Sequence, residues 1–300
     1  MDTQALWILD GGMGRELARR GAPFRQPEWS ALALMEAPET VREVHRAYVA
    51  SGARVITTNS YALVPFHIGE ARFAAEGERL ATLAGQLARE VADEQPGRVQ
   101  VAGSLPPLFG SYRADLFDAG RVSELATPLI RALSSQVDIW LAETMSLIAE
   151  PLALKALLPE DGKPFWVSFT LEDEAPGSEP TLRSGERVAD AVAALAKAGV
   201  DAILFNCCQP EVIDAALKVA RAGLQVLGRT DVRLGAYANA FPPQPKEATA
   251  NDGLDEIRTD LGPLDYLGWA ERWRAAGASL IGGCCGIGPE HIEALASRLR

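Results

Sequence analysis

The chain has 300 residues, 48% hydrophobic and 23% charged, with a formal net charge of −11. That length suits one large α/β domain or two ordinary ones. The acidic balance excludes nucleic acid, whose phosphates need a basic face, and disfavours anionic membrane surfaces.

The first ten residues carry no basic segment and enter an apolar strand-like run at once, so no signal peptide is expected. No apolar run is long enough to span a bilayer. The four cysteines are too few for a disulfide scaffold and fall as two adjacent pairs, Cys207-Cys208 and Cys284-Cys285. Neighbouring cysteines bond to each other only with strain. A reduced, cytoplasmic protein is the expectation.

Taken in order, eight apolar runs have strand length: 6–9, 54–57, 99–103, 138–142, 165–170, 202–206, 233–238 and 278–282. Ala-rich amphipathic helices separate them. In the clearest units a helix over 41–51, 189–198 or 269–276 ends at Gly52, Gly199 or Gly277, and a strand follows. Glycine just past a helix adopts the left-handed C′ conformation at no Cβ cost. Strand–helix alternation without long hairpins requires a parallel sheet. Eight units match a (β/α)8 TIM barrel, a fold of about 250 residues before insertions. An open doubly wound sheet is the alternative, but has no need of eight units. The whole chain, 1–300, reads as a single domain.

The loops divide unequally. Segments entering strands are short, whereas 105–121, 171–187 and 240–265 leave strands and are long and rich in Pro, Gly and Asp. Elaboration is thus confined to the rim at the strand C-termini, where barrel active sites are built. The last loop is the candidate lid or donor-binding segment.

That rim gathers Asp10, Thr58 with Asn59, Ser104, Glu143, Thr170, Asn206 with Cys207, Asn239, and Cys284 with Cys285. The sixth and eighth strands carry the cysteines and flank the seventh, so the thiols are near enough to meet at one ion. Two readings stand side by side. Buried inert cysteines are common in cores. Alternatively, three converging thiolates repel unless a cation is present, and their softness selects Zn²⁺. The spacing is not that of a zinc finger, and three protein ligands leave a fourth position open, as in a catalytic site.

Three motifs then carry a resemblance: Asp10-Gly-Gly-Met-Gly-Arg-Glu16, Asn206-Cys207, and Gly282-Gly-Cys-Cys-Gly286. Their order and their places after the first, sixth and eighth strands resemble the homocysteine S-methyltransferase family. Glu28-Trp-Ser30, Val41-Arg-Glu-Val-His45 and Thr57-Thr-Asn-Ser-Tyr61 extend the similarity over essentially the whole chain. The resemblance implies a barrel whose zinc is held by Cys207, Cys284 and Cys285, with homocysteine sulfur as fourth ligand and no catalytic residue beyond that site. It implies methyl transfer from a small cationic donor to homocysteine, giving methionine. With no folate, cobalamin or C-terminal extension in sight, the chain is most similar to the short type using S-methylmethionine, or S-adenosylmethionine.

The resemblance also implies that Asp10 and Glu143 meet the substrate ammonium, a fitting partner for a carboxylate; helix capping or loop bonding is the bland alternative. Thr58 and Asn239 match substrate-side positions, with structural hydrogen bonds as the alternative. Gly11 and Gly12 allow backbone N–H groups near a carboxylate, or simply serve a turn. One departure is Cys208 beside Cys207. Successive residues at a strand end face opposite ways, so Cys207 is taken as the ligand and Cys208 as packing. His45, His67 and His291 do not cluster and are read as non-catalytic, and Trp29 and Trp140 as packing. Rival functions are methyl transfer with betaine as donor or selenocysteine as acceptor, a zinc hydrolase, which three thiolates disfavour, and a non-catalytic thiol- or metal-binding barrel.

Overall fold

The computed structural model describes residues 5–245, 248–251, 253 and 256–299. Part of the 240–265 loop therefore lies outside the described residues, as do both extreme ends of the chain. Eight strands alternate with helices: β1 (Trp7–Ile8), β2 (Val55–Thr57), β3 (Gln100–Leu105), β4 (Ile139–Met145), β5 (Phe165–Phe169), β6 (Ala202–Asn206), β7 (Arg233–Tyr237) and β8 (Leu280–Ile281). The helices are α1 (Met13–Arg19), α2 (Ser30–Glu36), α3 (Pro38–Ala50), α4 (Pro65–Ile68), α5 (Glu70–Asp93) and α6 (Val122–Leu133). They continue as α7 (Ala149–Lys155), α8 (Val188–Ala198), α9 (Pro210–Val226), α10 (Pro263–Ala276) and α11 (Pro289–Arg298).

Every strand pairs parallel with its sequence neighbour from β2 to β8, and β8 pairs with β1. A parallel bridge between Leu9 and Val55 closes the ring. Across that seam the Asp10 N–H donates to Val55 O at 3.0 Å, and the Arg54 N–H to Ile8 O at 2.7 Å. The eight parallel strands predicted from the sequence form this (β/α)8 barrel.

Strand ends differ from the expected runs in ways that matter for the rim. β3 continues to Leu105 and β4 to Met145, so Ser104 and Glu143 sit inside strands rather than after them. β4 reaches that length through an irregularity: its register against β5 shifts between Ala142 and Met145, and Thr144 has φ 59°. β1 and β8 are short, although Trp7 N–H to Ser279 O at 2.9 Å and Leu9 N–H to Ile281 O at 2.8 Å continue their pairing. Gly199 and Gly277 end α8 and α10 in the left-handed conformation, as the sequence pattern requires.

Alternation along each strand splits the core in two. Leu9, Val55, Ala102, Leu141, Trp166, Leu204 and Leu280 fill the barrel interior. Ile8, Ile56, Val101, Val167, Ile203, Leu234 and Ile281 pack outward against the helices. The interior is therefore a packed plug, and a cavity opens above it at the strand C-termini.

Gly235 fixes how closely β6, β7 and β8 approach. A Cβ there would lie 2.6 Å from Leu204 Cδ2 and 2.7 Å from Leu280 Cβ and O. Neighbours on two strands, one of them backbone, would have to move. We expect Gly235→Ala to destabilise the fold by about 1–3 kcal/mol, the usual cost of overpacking. Urea denaturation followed by circular dichroism measures it; a change below about 0.5 kcal/mol contradicts this packing account.

Candidate active site and metal centre

A cavity of ≈ 450 Å³ opens above the plug, lined among others by Asp10, Gly11, Gly12, Thr58, Glu143, Cys207, Cys284 and Cys285. The three cysteine sulfurs lie within 4.8 Å of one another, and among the described residues the group stops at three ligands. Cys207 leaves the end of β6, while Cys284 and Cys285 follow β8. Gly12 lets the β1–α1 turn come in beside them, since a Cβ on Gly12 would sit 2.5 Å from Cys284 O.

The backbone decides which sulfur of each pair faces the cavity. On β6, Ala202 and Leu204 face inward and Ile203 and Phe205 outward. Continued alternation would send Cys207 outward and Cys208 inward. Instead Cys207 has φ 52°, a left-handed conformation that breaks the parity. Cys207 therefore lines the cavity, and Cys208 is fully buried in the outer packing layer. Such a conformation costs a non-glycine residue about 1–3 kcal/mol and persists only where the surroundings enforce it. Trp29, Tyr112 and Thr144 are the other described non-glycine residues with positive φ, and all of them line the same cavity.

Without a cation the three thiols share charge unequally. Cys284 and Cys285 donate to Cys207 and pull its thiol well below the ordinary range. Their own thiols are pushed well above it by the same contacts. Asn239 also favours the charged form of Cys207. Among the described residues its amide nitrogen has no other partner; it is fully buried and does not line the cavity. The donor set thus fits a soft divalent cation: three sulfurs within 4.8 Å of one another, with the Cys207 thiol held below its ordinary range.

Two buried carboxylates face the same space. Asp10 accepts from the Thr57 N–H at 2.7 Å and the Thr57 hydroxyl at 3.2 Å. Burial, opposed by those bonds and reinforced by Glu143, raises its pKa to about 8. Glu143 accepts from the Ser104 hydroxyl and, at 3.4 Å, from the Tyr237 phenol. Burial raises it to about 7. Two desolvated carboxyls thus line one cavity, and a cation placed between them would favour the charged form of both. Thr58 lines the cavity too, but its hydroxyl pairs with Ser60 at 2.9 Å and accepts from the Ser104 N–H at 3.0 Å.

Several cavity groups carried no sequence signal. Tyr112 comes from the β3–α6 loop and puts its hydroxyl 3.0 Å from Cys207 Sγ. Tyr237, which with the rim residue Ser104 holds Glu143, is an ordinary strand residue until the barrel closes. Trp29 lines the cavity and donates to Asn251 Oδ1 at 2.8 Å, whereas Trp140 is buried outside the barrel interior. His67 also lines the cavity, with burial holding its pKa down at about 4. His45 is fully buried in α3, and His291 bonds Gly288 and Leu261.

The family model for homocysteine S-methyltransferase matches residues 7–299. The chain belongs to the homocysteine S-methyltransferase family. Homocysteine S-methyltransferase of Escherichia coli (strain K12) is 33% identical over 99% of this chain and 96% of that protein. Homocysteine S-methyltransferase 1 of Zea mays is 31% identical, covering 98% and 94%. The metallated crystal structure of the E. coli homocysteine methyltransferase MmuM superposes with a TM-score of 0.77 at 33% identity, covering 99% of this chain and 97% of that one. Among the described residues of this family member, no helix is long and apolar enough to cross a membrane.

Two substitutions separate the paired cysteines. Cys207→Ser should leave the purified protein with no stoichiometric metal. Cys208→Ser should keep the metal and lose about 1–3 kcal/mol of stability, the cost of burying a hydroxyl in an apolar layer. Metal analysis with thermal melting reads both, and metal loss in the Cys208 variant alone would reverse the assignment.

Proposed function

We propose that this protein transfers a methyl group from a cationic sulfonium donor, S-methylmethionine or S-adenosylmethionine, to the thiol of homocysteine, giving methionine. The observation that carries the reading is the meeting of three cysteine sulfurs beside two buried carboxylates in one cavity. Cys207, Cys284 and Cys285 would hold Zn²⁺. Bound there, zinc would supply a Lewis acid that favours the thiolate form of the acceptor at neutral pH.

The protein's own residues then bind and orient. Asp10 and Glu143 take the acceptor's ammonium, which satisfies both desolvated carboxyls at once. Glu143 is kept in place by Ser104 and Tyr237. Gly11 and Gly12 let the β1–α1 turn pack against Ile287 and Cys284, where no Cβ would fit, so that its backbone forms part of the cavity wall for the acceptor's polar end. Phe24, Trp29 and Tyr61 line the rest of the cavity; their rings and the acidic surroundings suit a sulfonium cation. The acceptor sulfur's lone pair forms the new S–CH₃ bond as the donor's S–CH₃ bond breaks. That bonding pair stays on the donor sulfur, which leaves as a neutral thioether, and the thiol proton passes to solvent. With S-methylmethionine both products are methionine.

Zinc-loaded protein given homocysteine and, separately, S-methylmethionine, S-adenosylmethionine and betaine should form methionine with a sulfonium donor. Turnover with betaine alone would reject the donor assignment, and no methionine from any donor would reject the acceptor as well. Cys284→Ser should abolish both zinc and activity.

Asp10→Asn should raise KM for homocysteine about 30-fold or more, since losing one partner of a buried charge pair costs about 2–5 kcal/mol. The substitution has a second signature. The folded protein keeps a proton on Asp10 that the unfolded chain has lost above its ordinary value of 3.8. Stability therefore falls as pH rises from about 4 through about 8. The Asn variant should flatten that slope and melt higher than the parent at pH 8. Thermal melts across pH test this, and an unchanged slope would exclude a buried protonated Asp10.

A further inference from the structure

Tyr112 reaches the metal centre from a loop that contributes no cysteine. Its hydroxyl lies 3.0 Å from Cys207 Sγ and 3.2 Å from the Cys207 carbonyl oxygen. A phenol has one proton to give. The carbonyl already accepts from the Thr170 hydroxyl at 3.2 Å, and a ligating cysteine is a thiolate, the stronger acceptor. The sulfur is therefore the better acceptor for the phenol proton.

The ring is held for this purpose. The Arg183 guanidinium stacks on the Tyr112 ring with its carbon 4.5 Å from the centroid. Arg183 is almost wholly buried and pairs with the equally buried Asp173 at 2.8 Å. Asp173 also accepts from the Gln209 N–H at 3.0 Å and the Gln244 N–H at 3.1 Å. Arg183 in turn donates to the Gln244 and Pro245 carbonyls. One ion pair from the β5–α8 loop thus ties down the loops after β6 and β7 and clamps the aromatic ring from the β3–α6 loop. A cation over a ring face draws electron density from it and makes the phenol a better donor.

We propose that Tyr112, clamped by Arg183, is a positioning residue that donates a hydrogen bond to the Cys207 thiolate and thereby sets the charge and the grip of the metal centre. This rests on reading the three cysteines as a metal site. By withdrawing density from one of three anionic ligands, the phenol leaves the centre less electron-rich, so it favours the thiolate of an incoming acceptor more strongly. Arg183 acts only through the ring it orients and through the loops it ties.

The test uses the whole protein loaded with Co²⁺ or Zn²⁺. Tyr112→Phe removes only the hydroxyl and should weaken Zn²⁺ retention against a competing chelator about 10-fold, as losing a partner of a metal ligand does. In the Co²⁺ form the sulfur-to-metal charge-transfer band should move to lower energy, because an unbonded thiolate gives up electron density more easily. Arg183→Lys keeps the charge beside Asp173 but not the flat stack. It should shift the band in the same direction by less, and add nothing once Tyr112 is Phe. If both single variants fold and bind Co²⁺ with the parent's band and retention, the proposal is overturned. If Tyr112→Phe does not fold, Arg183→Lys alone decides by the same band. A parent protein that takes up no Co²⁺ with thiolate bands would instead sink the metal reading itself.

Discussion

Mutual repulsion among three sulfurs is the constraint the architecture answers to. Thiolates held within 4.8 Å of one another are not compatible with a dry cavity unless protons or a cation share their charge. Contacts among the three lower the Cys207 thiol's pKa and raise those of Cys284 and Cys285, so protons on the β8 pair are one way to share that charge. The same geometry is ready to exchange those protons for a soft metal ion. Bringing the sulfurs together requires β6 and β8 to be two staves apart with a thin stave between them. The absence of a side chain at Gly235, on β7, lets that happen.

The cavity carries its function in groups that are individually unfavourable. Asp10 and Glu143 are buried, and both hold their protons more tightly than an exposed carboxyl. Trp29, Tyr112, Thr144 and Cys207 adopt left-handed backbone conformations around the same space. Strain and desolvation concentrated in this way must be offset elsewhere. The offset lies in the surrounding barrel, with its apolar plug inside and a continuous apolar layer between strands and helices. The buried Asp173–Arg183 pair makes its contribution at the rim, where three loops would otherwise be free to move the ligands.

Much of this was legible in the residues. Eight apolar runs separated by helices named the barrel, because a parallel sheet buried on both faces must use such runs and must cross over between them. Two cysteine pairs at strand ends, glycine-flanked, marked the chemistry. The carboxylates at positions 10 and 143 stood at the same rim by counting strands alone. Tyr112, Asp173 and Arg183 were not legible. Each lies in a long loop whose path depends on contacts up to 95 residues away in the chain.

The sequence by itself determined the barrel, the rim on which the site sits and the strands that deliver the sulfurs, since periodicity and strand count are local properties. The Asn206-Cys207 motif pointed to Cys207 by resemblance, but only the tertiary structure gave the physical reason that it, and not Cys208, faces the cavity. Strand parity argues for Cys208, and a single left-handed residue reverses it. That conformation is costly in isolation and exists because Tyr112, Asn239 and the β8 cysteines surround Cys207 in space. No periodicity along the chain contains those contacts.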